Sequence, residues 1–570
     1  MILLLVFGVL IVLSIPSVQS SLAQSLTKKI NKDFGVDVRI KRLGLNWKGA
    51  IDLREVLILD HHQDTLIHAS KMSTNILSLT DIEAGRWAFG RLSLEDALLR
   101  IITYKEEPIH SLDHFLAQFP ASPEQAQDQD PFVLLIGGLR LENTRIEIQD
   151  LNPESLQDLG FNHVFLSAQD FRISGPELGA KINSMGFDSN FGLYVAKLSG
   201  DYYYDATTMG IAHMNLITPQ LSDLRGDLSL SFPQGMSDFS DKVYLELDLE
   251  QGSVFATSDI NNWYDAFDQG GFIGLSGGLH GTLNNLSWSQ ARLQYRQSLL
   301  QGEVKLKNML NEAPFYLGIK EMRLTSRRDD LIDFMPQDLG PNLPASLKRL
   351  GKTTMVGALA LQGDVLTFEG TLGSALGRLE ANFELGNLGR AEHAFYTASI
   401  ETKGFQIGRL IGDKTIGGVS GSIQIKGRGF SPEELNTQIT GAFDGVQYLG
   451  YTYRNIDVNA DLIAPFQKWS WSIADEFLQS SGSLSSEENN NQIRLELDAA
   501  VGFADLHTLG IVQRDSVAEF SGSFQAKAFG SSYEELSGSL VLANTFYQTQ
   551  ERYYFFEDLA LNLDNGPDQK

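Results

Sequence analysis

The chain has 570 residues, of which 42% are hydrophobic and 20% are charged, and this composition is not that of a disordered protein. Its formal net charge of -26 argues against nucleic acid as a partner, because contact with phosphates needs a basic surface. The sequence contains no cysteine, which excludes disulfides, thiolate metal sites and thiol catalysis.

The first twenty residues predict a membrane anchor. Residues 2–15 are apolar apart from Gly8 and Ser14, and the run breaks at residues 16–19. A run this short also fits the core of a secretory signal, but no basic residue precedes it and residues 18–20 are only a fair match to a cleavage site. We therefore expect residues 1–20 to be an uncleaved, single-pass membrane anchor, with the true N-terminus upstream of Met1. A cleaved signal and a buried core helix are the alternatives.

Residues 21–35 predict a short amphipathic helix beside the membrane. Apolar residues recur at every fourth position and lysines lie between them, as seen at Leu22, Leu26, Ile30 and Phe34. The lysines would meet lipid phosphates if this helix lies on the membrane surface. The alternative is a helix that caps the first sheet, and the sequence does not separate the two.

From residue 36 onward the dominant period is two, which predicts short strands with one apolar face and one wet face. Residues 36–119 are expected to form an N-terminal β region that ends in a helix at 111–119, with Ser111 as its N-cap. Residues 120–131 predict a linker or mobile loop, because they are rich in Pro, Gln and Asp. Residues 132–402 are predicted to be a β-repeat body.

Three strands show this alternation most clearly, and their apolar sides form the candidate groove. The groove residues are Val243, Leu245, Leu247, Leu249, Leu379, Ala381, Phe383, Leu385, Ile493, Leu495 and Leu497. A one-sided sheet must bury its apolar face, and the predicted helices are too few to cover this many strands. Closed sandwiches and a trough that curls around something apolar both satisfy this demand, and periodicity alone does not separate them.

The C-terminal third of the chain repeats itself. Gly421, Ser422, Gln424 and Lys426 recur as Gly522, Ser523, Gln525 and Lys527, and residues 275–283 are a weaker earlier copy. We therefore expect one β-repeat at 403–501 and a second at 502–570 that breaks off at the C-terminus. Such a repeat of short strands indicates one growing sheet.

Two short patterns have the residue types of functional motifs, and for both we favour a structural interpretation. Residues 60–64, Asp-His-His-Gln-Asp, with His68 nearby, have residue types that suit a divalent metal site. A polar turn between two strands is the favoured interpretation, because His61 and His62 would lie on opposite faces if either extended a strand. Gly274-Leu-Ser276-Gly-Gly278 fits the nucleophile-elbow pattern, yet a strand is predicted after it where that motif needs a helix. We therefore expect no catalytic, cofactor-binding or metal-binding residues, and no enzyme activity.

Several segments, taken in order, resemble TamB-family proteins, the AsmA-like inner-membrane subunits of the translocation and assembly module. The resemblance begins at residues 16–19, 26–35, 45–47 and 56–66. It continues in the Gly-punctuated strands at 353–385 and in the repeats at 419–462 and 520–563. It covers most of the chain, and its specificity lies in the order of the segments.

This resemblance implies an elongated antiparallel β-sheet that curls into an apolar trough, anchored in the inner membrane and bridging a Gram-negative periplasm. The implied function is outer-membrane biogenesis, through phospholipid transfer, outer-membrane protein assembly or both. The implied partners are phospholipid acyl chains, the inner membrane and a BamA/TamA-like β-barrel in the outer membrane. We expect the region that meets this β-barrel to be missing from the chain.

Two other classes stay open at this point. A cell-surface or periplasmic β-repeat adhesin or structural protein would have a cleaved signal and closed sandwich cores. A β-fold hydrolase would need a convergent catalytic pocket, and the sequence does not single one out.

Overall fold

The computed structural model describes residues 16–45, 50–76, 86–107, 109–118, 133–152, 158–174, 177–235, 238–262, 270–334, 345–387, 393–429, 434–489, 492–531 and 536–563. They form an all-β chain with 29 strands in a predominantly antiparallel sheet, which confirms the predicted fold class at this level. The chain divides into two compact units, residues 1–296 with 304–313, and residues 297–303 with 314–570. The predicted linker at 120–131 lies outside the described residues.

The first unit contains β1 (Asp37–Leu45), β2 (Ala50–Leu59), β3 (Thr65–Ile76), β4 (Arg86–Thr103), β5 (Val133–Asp150), β6 (Leu159–Ser174), β7 (Glu177–Ser189), β8 (Tyr194–Tyr204), β9 (Thr208–Ile217), β10 (Asp223–Ser231), β11 (Tyr244–Ala256), β12 (Phe272–Thr282) and β13 (Asn285–Tyr295). Neighbouring strands pair antiparallel, except that β4 and β5 are parallel. A parallel pair needs a crossover connection, and the described part of this one carries α2 (Ser111–Leu116). β14 (Ser298–Lys307) contains the boundary between the units.

A helix, α1 (Pro16–Phe34), covers the first strands of this unit. It begins at Pro16, five residues before the predicted start at 21, and proline is well tolerated in the first turn of a helix. Ala23 is fully buried in a cluster with residues of β1 to β4. The Asn31 amide donates to the Val38 carbonyl at 3.0 Å and accepts from the Val38 N–H at 2.8 Å. The helix therefore caps the first sheet, which was one of the two alternatives for it.

The predicted membrane anchor falls mostly on residues 1–15, which lie outside the described residues. Within the described ranges, no helix is both long enough and apolar enough to cross a membrane. The side chains of Leu22, Leu26, Ile30 and Phe34 are also outside what the structure describes, so their predicted apolar stripe stays a prediction.

The helix in the crossover differs from its prediction at the N-cap. His110 holds that position, and its Nδ1 accepts from the Asp113 N–H at 3.2 Å, so the prediction of Ser111 is wrong. Ser111 is fully buried instead, and its Oγ accepts from the Ile102 N–H at 2.9 Å. The remaining short helices are α3 (Phe239–Lys242), α4 (Thr257–Ile260), α5 (Arg328–Phe334), a 3₁₀ helix (Ala345–Leu350) and α6 (Ile407–Ile411).

The second unit contains β15 (Tyr316–Ser326), β16 (Thr353–Gln362), β17 (Val365–Ser374), β18 (Gly377–Gly386), β19 (Phe395–Gln406), β20 (Ile416–Arg428), β21 (Asn436–Tyr448), β22 (Tyr451–Tyr453), β23 (Ile456–Ile463), β24 (Phe466–Ala474), β25 (Leu478–Asn489), β26 (Gln492–Asp505), β27 (Ala518–Gly530), β28 (Ser537–Thr549) and β29 (Tyr553–Leu563). The strands pair antiparallel in chain order, except that β21 pairs with both β22 and β23. The predicted repeat boundaries at 402/403 and 501/502 fall inside β19 and β26.

The repeated glycines of the sequence mark equivalent irregularities in two strands. Gly421 in β20 has a φ of +141°, and Gly522 in β27 has a φ of +158°. The pairing register shifts beside each of them, at Ser420/Gly421 and at Ser521/Ser523. A Cβ on Gly421 would lie 2.3 Å from the Ala442 carbonyl oxygen. Glycine is therefore required at Gly421 by both its φ and the close approach of the next strand.

Candidate functional site

The predicted groove residues of β18 lie on one face of a regular ladder. Leu379, Ala381, Phe383 and Leu385 are half-buried, while the charged and polar residues between them are exposed. Most of their cross-strand partners are also apolar: Phe383, for example, lies opposite Phe368 of β17 and Ala398 of β19. Residues that lie directly opposite each other in an antiparallel pair share a face. The apolar face therefore extends from β18 onto both neighbouring strands.

This face continues through the second unit as an unbroken row with one apolar side chain per strand. Each residue lies directly opposite the next in the ladder, from β15 to β21 and from β23 to β29. This apolar row consists of Ile319, Leu359, Phe368, Phe383, Ala398, Ile425, Ile439, Ala460, Trp469, Leu484, Leu497, Ala526, Leu540 and Leu561. No member of it carries a charge.

The opposite face carries a matching polar row. On each strand from β17 to β21 and from β23 to β27, a polar residue is the sequence neighbour of the apolar-row residue. These polar residues also lie directly opposite one another in the ladder. This polar row consists of Glu369, Asn382, Ser399, Gln424, Thr440, Asn459, Ser470, Ser483, Asp498 and Gln525. Most of its members are exposed. The sheet of this unit is thus amphipathic, with a wet face and an apolar face.

Most of the apolar row is half-buried and not fully buried. Phe368 (2% exposed), Ala460 (3%) and Ile319 (7%) are buried, Leu561 is exposed, and the other members lie between these limits. The rings of Phe368 and Phe383 lie 5.3 Å apart, so some contacts along the row are close. In a close-packed protein core such residues would be inaccessible to water. The row is therefore shielded by the protein only in part.

Short helices cover one end of this face on β18 and β19. Leu379 packs against a small buried cluster of Leu350, Leu376 and Phe405. Leu350 belongs to the 3₁₀ helix, and Leu410 of α6 packs on the same cluster. Farther along β18, Phe383 and Leu385 are not among the residues packed against that cluster. The described helices thus cover the apolar face near Leu379.

The groove residues predicted on β26 lie on the same apolar face. Leu497 is a member of the apolar row, opposite Leu484 and Ala526. Leu495 is half-buried like Leu497, whereas Ile493 is buried at 7% exposure. The structure therefore places these three residues on one face with those of β18, within the second unit.

Aromatic side chains on this face lie across glycines of the neighbouring strand. Trp471 is opposite Gly482, and a Cβ at 482 would lie 2.5 Å from the edge of the indole. The indole Nε1 of Trp471 donates to Ser480 Oγ at 3.3 Å. Gly427 is covered in the same way by Tyr396. These glycines give large rings the space to lie flat on the face.

The groove residues predicted on β11 are more deeply enclosed. Val243 precedes the strand and is 1% exposed, and Leu249 is 9% exposed. Leu245 and Leu247 are half-buried, and Leu247 packs against a buried cluster of Val195, Leu198, Ile211 and Met214. Within the first unit these residues thus border a protein core.

A tyrosine on this face of the first unit reflects the same enclosure. Tyr202 lies opposite Ile211, which in turn is opposite Leu228, the partner of Leu247. Burial raises the pKa of Tyr202 to about 12, because the charged phenolate loses its hydration there. The Tyr202 side chain therefore stays in its neutral phenol form.

Ser276 does not have the geometry of a nucleophile elbow. It lies within β12, is 7% exposed, and its carbonyl oxygen accepts from Trp288 Nε1 at 3.1 Å. The residues that follow continue the strand to Thr282, whereas the elbow requires a strained turn into a helix. Gly277 has a φ of +114° beside a register shift, so the Ser-Gly pair belongs to the same kind of irregularity as Gly421 and Gly522.

The histidines at 61 and 62 lie in the turn between β2 and β3, as the structural interpretation of residues 60–64 predicted. His68 does not join them, because it lies in β3 with its Nε2 3.6 Å from Glu55 Oε2. Sequence reasoning missed Glu107 and His114, which the crossover after β4 brings to this turn. The two residues are more than forty positions away along the chain, and no local spacing signals their approach.

No known protein supports the assignment of a function to these sites. Comparison with protein families, with curated proteins and with solved structures finds no match.

Proposed function

We propose that this chain is a membrane-anchored periplasmic bridge of the TamB type, which acts in outer-membrane biogenesis. Its apolar row offers a groove for phospholipid acyl chains. The observation that carries this proposal is the continuity of a half-buried apolar row across the strands of the second unit. The resemblance of the sequence segments supplies the cellular setting: an anchor at residues 1–20 in the inner membrane, the body in the periplasm, and a BamA/TamA-like β-barrel as the outer-membrane partner.

The apolar row favours a mobile hydrocarbon ligand over a closed core. A soluble monomer rarely exposes a contiguous apolar patch of more than a few hundred Å². The row would exceed this if it faced water, so it needs a cover, and its members keep too much exposure to be covered by protein alone. Acyl chains from phospholipids satisfy both conditions, because they are apolar and adapt to irregular space. The sheet would curl around them as a trough.

The absence of charge along the apolar row suits transfer as well as binding. An acyl chain that moves along it meets aliphatic and aromatic groups of similar character at every strand. No hydrogen bond or ion pair with the row would hold the acyl chain at one place. The headgroup would stay at the wet edge of the trough, since moving a charged group into hydrocarbon is costly.

Site-specific photo-crosslinking in cells tests the groove. Crosslinkers at Phe383 and Leu497 should capture phospholipid, whereas crosslinkers at the adjacent residues Asn382 and Asp498, on the polar row, should not. Intramolecular crosslinks alone at Phe383 and Leu497 would show that these strands form closed cores, as in an adhesin or structural protein. Capture of unfolded outer-membrane proteins without lipid would identify protein as the cargo.

A functional assay complements the crosslinks. Phe383→Asp should give a folded, anchored protein that fails to maintain the outer-membrane barrier, because an unpaired charge obstructs acyl chains. Asn382→Asp places the same charge on the polar row and should keep full function. If both variants behave like the wild type while Phe383→Asp stays folded, the apolar row does not carry the function.

The anchor is tested by fractionation. The full chain should remain with inner membranes. Recovery of a soluble protein that begins near Ser20 or Ser21 would show that residues 1–20 are a cleaved signal, and it would favour the adhesin class.

A further inference from the structure

A cluster of three histidines and one glutamate lies in the first unit. His61 and His62 come from the turn between β2 and β3, Glu107 from the loop after β4, and His114 from α2. His61 Nε2 lies 2.9 Å from Glu107 Oε2, and His114 Nε2 lies 3.5 Å from the same oxygen. His62 Nε2 lies 2.7 Å from the other carboxylate oxygen, Oε1. One donor atom each from His61, Glu107 and His114 fall within 4.8 Å of one another.

The turn that carries the two histidines is held in place by its neighbours. Asp60 is buried, and its Oδ1 accepts the backbone N–H groups of His62 and Asp64, each at 2.9 Å. The Tyr104 hydroxyl lies within hydrogen-bond distance of two carboxylates, 2.7 Å from Asp60 Oδ2 and 2.9 Å from Asp64 Oδ2, which share its one proton. The Tyr104 ring stacks on His62 with centroids 3.9 Å apart. The backbone of the turn and the ring of His62 are thus held in place by groups behind them.

We propose that His61, Glu107 and His114 bind a divalent transition metal ion, with zinc as the first candidate. His61 Nε2, His114 Nε2 and Glu107 Oε2 are the ligands, and water takes the fourth position. His62 acts as a positioning residue, because its contact with Oε1 aims the other carboxylate oxygen at the metal. Two imidazoles and one carboxylate with an open position form a frequent zinc set, whereas magnesium and calcium prefer oxygen ligands alone.

The geometry needs little adjustment to take the ion. Zinc lies about 2.0–2.2 Å from nitrogen and carboxylate ligands, so two ligand atoms at a tetrahedral angle are separated by about 3.4 Å. The distances of 2.9 Å and 3.5 Å to Glu107 Oε2 bracket this value. The side chains of His61, Glu107 and His114 are between 24% and 36% exposed, which leaves access for the ion and for a bound water.

Bound metal would tie the crossover to the turn it passes. Glu107 and His114 lie on the connection that leads from β4 towards its parallel partner β5, and His61 lies on a hairpin that is already fixed in the sheet. A single ion would therefore fasten α2 and its loop to the edge of the sheet. This role is independent of any lipid groove in the second unit.

Metal titration of the purified full-length chain tests the site. After treatment with EDTA, the chain should bind one zinc ion per molecule by calorimetry, and cobalt(II) should give the intense visible absorption of a four-coordinate site. Glu107→Gln keeps the size of the side chain but removes the charge and one acceptor oxygen, and it should weaken zinc binding at least about tenfold. His114→Ala should abolish the cobalt absorption. His62→Ala should keep the stoichiometry of one but shift the cobalt spectrum.

A matched control comes from a histidine that pairs with a carboxylate elsewhere in the unit. His213 Nδ1 lies 3.1 Å from Asp201 Oδ2, and both side chains are exposed. His213→Ala should therefore leave zinc affinity and cobalt absorption unchanged. Far-UV circular dichroism of Glu107→Gln should match that of the wild type, which separates loss of the ion from loss of folding. The proposal fails if the wild type shows no cobalt band, or if Glu107→Gln and His114→Ala bind zinc as the wild type does.

Discussion

The strands β5 to β13 of the first unit and β16 to β19 of the second unit are built on the same alternation, yet their ladders differ. Every pairing from β5 to β13 contains a register shift. The pairings from β16 to β19 contain none. An extra residue in one strand moves the following side chains to the other face. Regular ladders therefore keep an apolar face continuous along each strand, and shifted ladders divide it.

Burial follows the same division. Around Val195 and Ile211 the first unit forms a buried cluster that takes Leu247 as a neighbour, while Phe383 and Leu385 of the second unit stay half-buried. Bulges also bend strands and increase their twist. In these two stretches, one pattern in the sequence accompanies a protein core where every ladder is shifted and a one-sided face where the ladders are regular. The apolar row also crosses shifted ladders elsewhere in the second unit, such as β19–β20 and β26–β27, with apolar partners on both sides.

The largest expected difference between the regions concerns a buried charge. Val56 of β2 is 2% exposed in the cluster below α1, so Val56→Asp should cost about 3–5 kcal/mol in the free energy of unfolding of the first unit. Leu497→Asp, on the half-buried apolar row, should cost about 1–3 kcal/mol because water reaches the site. Urea unfolding followed by limited proteolysis measures each unit.

Equal losses for these two variants would contradict the comparison. They would mean that the apolar row is as tightly enclosed as the cluster below α1. Val56→Ala and Leu497→Ala serve as controls that remove volume without adding charge.

The predicted groove residues show how far the sequence alone predicts which side chains share the apolar face. The run from Leu379 to Leu385 was predicted correctly as one apolar side, because β18 and its partners contain no register shift. The run from Val243 to Leu249 was predicted with less accuracy. Val243 lies before the strand, at the end of α3, and the register shifts directly after Leu249. Alternation does not reveal where a strand begins or where a bulge interrupts it.

The histidine cluster shows what local patterns omit. The sequence placed His61 and His62 in a turn, and the structure has them there. Their relation to Glu107 and His114 depends on the parallel crossover after β4, which no period in the sequence predicts. A proximity created by topology is visible only when the chain path is known.

The second prediction concerns the glycine at a register shift. Gly421→Ala should cost about 1–3 kcal/mol in the free energy of unfolding of the second unit, because its φ is positive and its Cβ would meet the Ala442 carbonyl. Gly502→Ala is the control, since the nearest atoms to a Cβ there are 3.8 Å away, and it should be neutral or stabilise by about 0.5 kcal/mol. Denaturant unfolding checks both. A neutral Gly421→Ala would show that the strand does not need this irregularity.

A smaller effect is expected where α1 meets the first strand. Asn31→Ala removes both hydrogen bonds to the Val38 backbone and should cost about 1–2 kcal/mol locally. Hydrogen exchange of the Val38 amide should accelerate accordingly. Ser25→Ala is the control, because Ser25 Oγ donates within the helix, to the Ser21 carbonyl, and its loss should leave the Val38 amide unchanged. Unchanged exchange in Asn31→Ala would mean that other contacts hold the helix on the sheet.

The smallest effect is expected on the wet face of the second unit, and it tests whether that face is exposed to water. Lys527 Nζ lies 3.4 Å from Glu496 Oε1, and both side chains are well exposed. Water and salt screen such a pair, so Lys527→Ala should change the free energy of unfolding by less than about 0.5 kcal/mol. Lys527→Ala combined with Glu496→Ala should show a coupling of the same small size, which weakens further as salt is added. A cost above about 1 kcal/mol would exceed what an exposed pair contributes. It would mean that something covers this face, and the assignment of one wet and one apolar face to these strands would then be wrong.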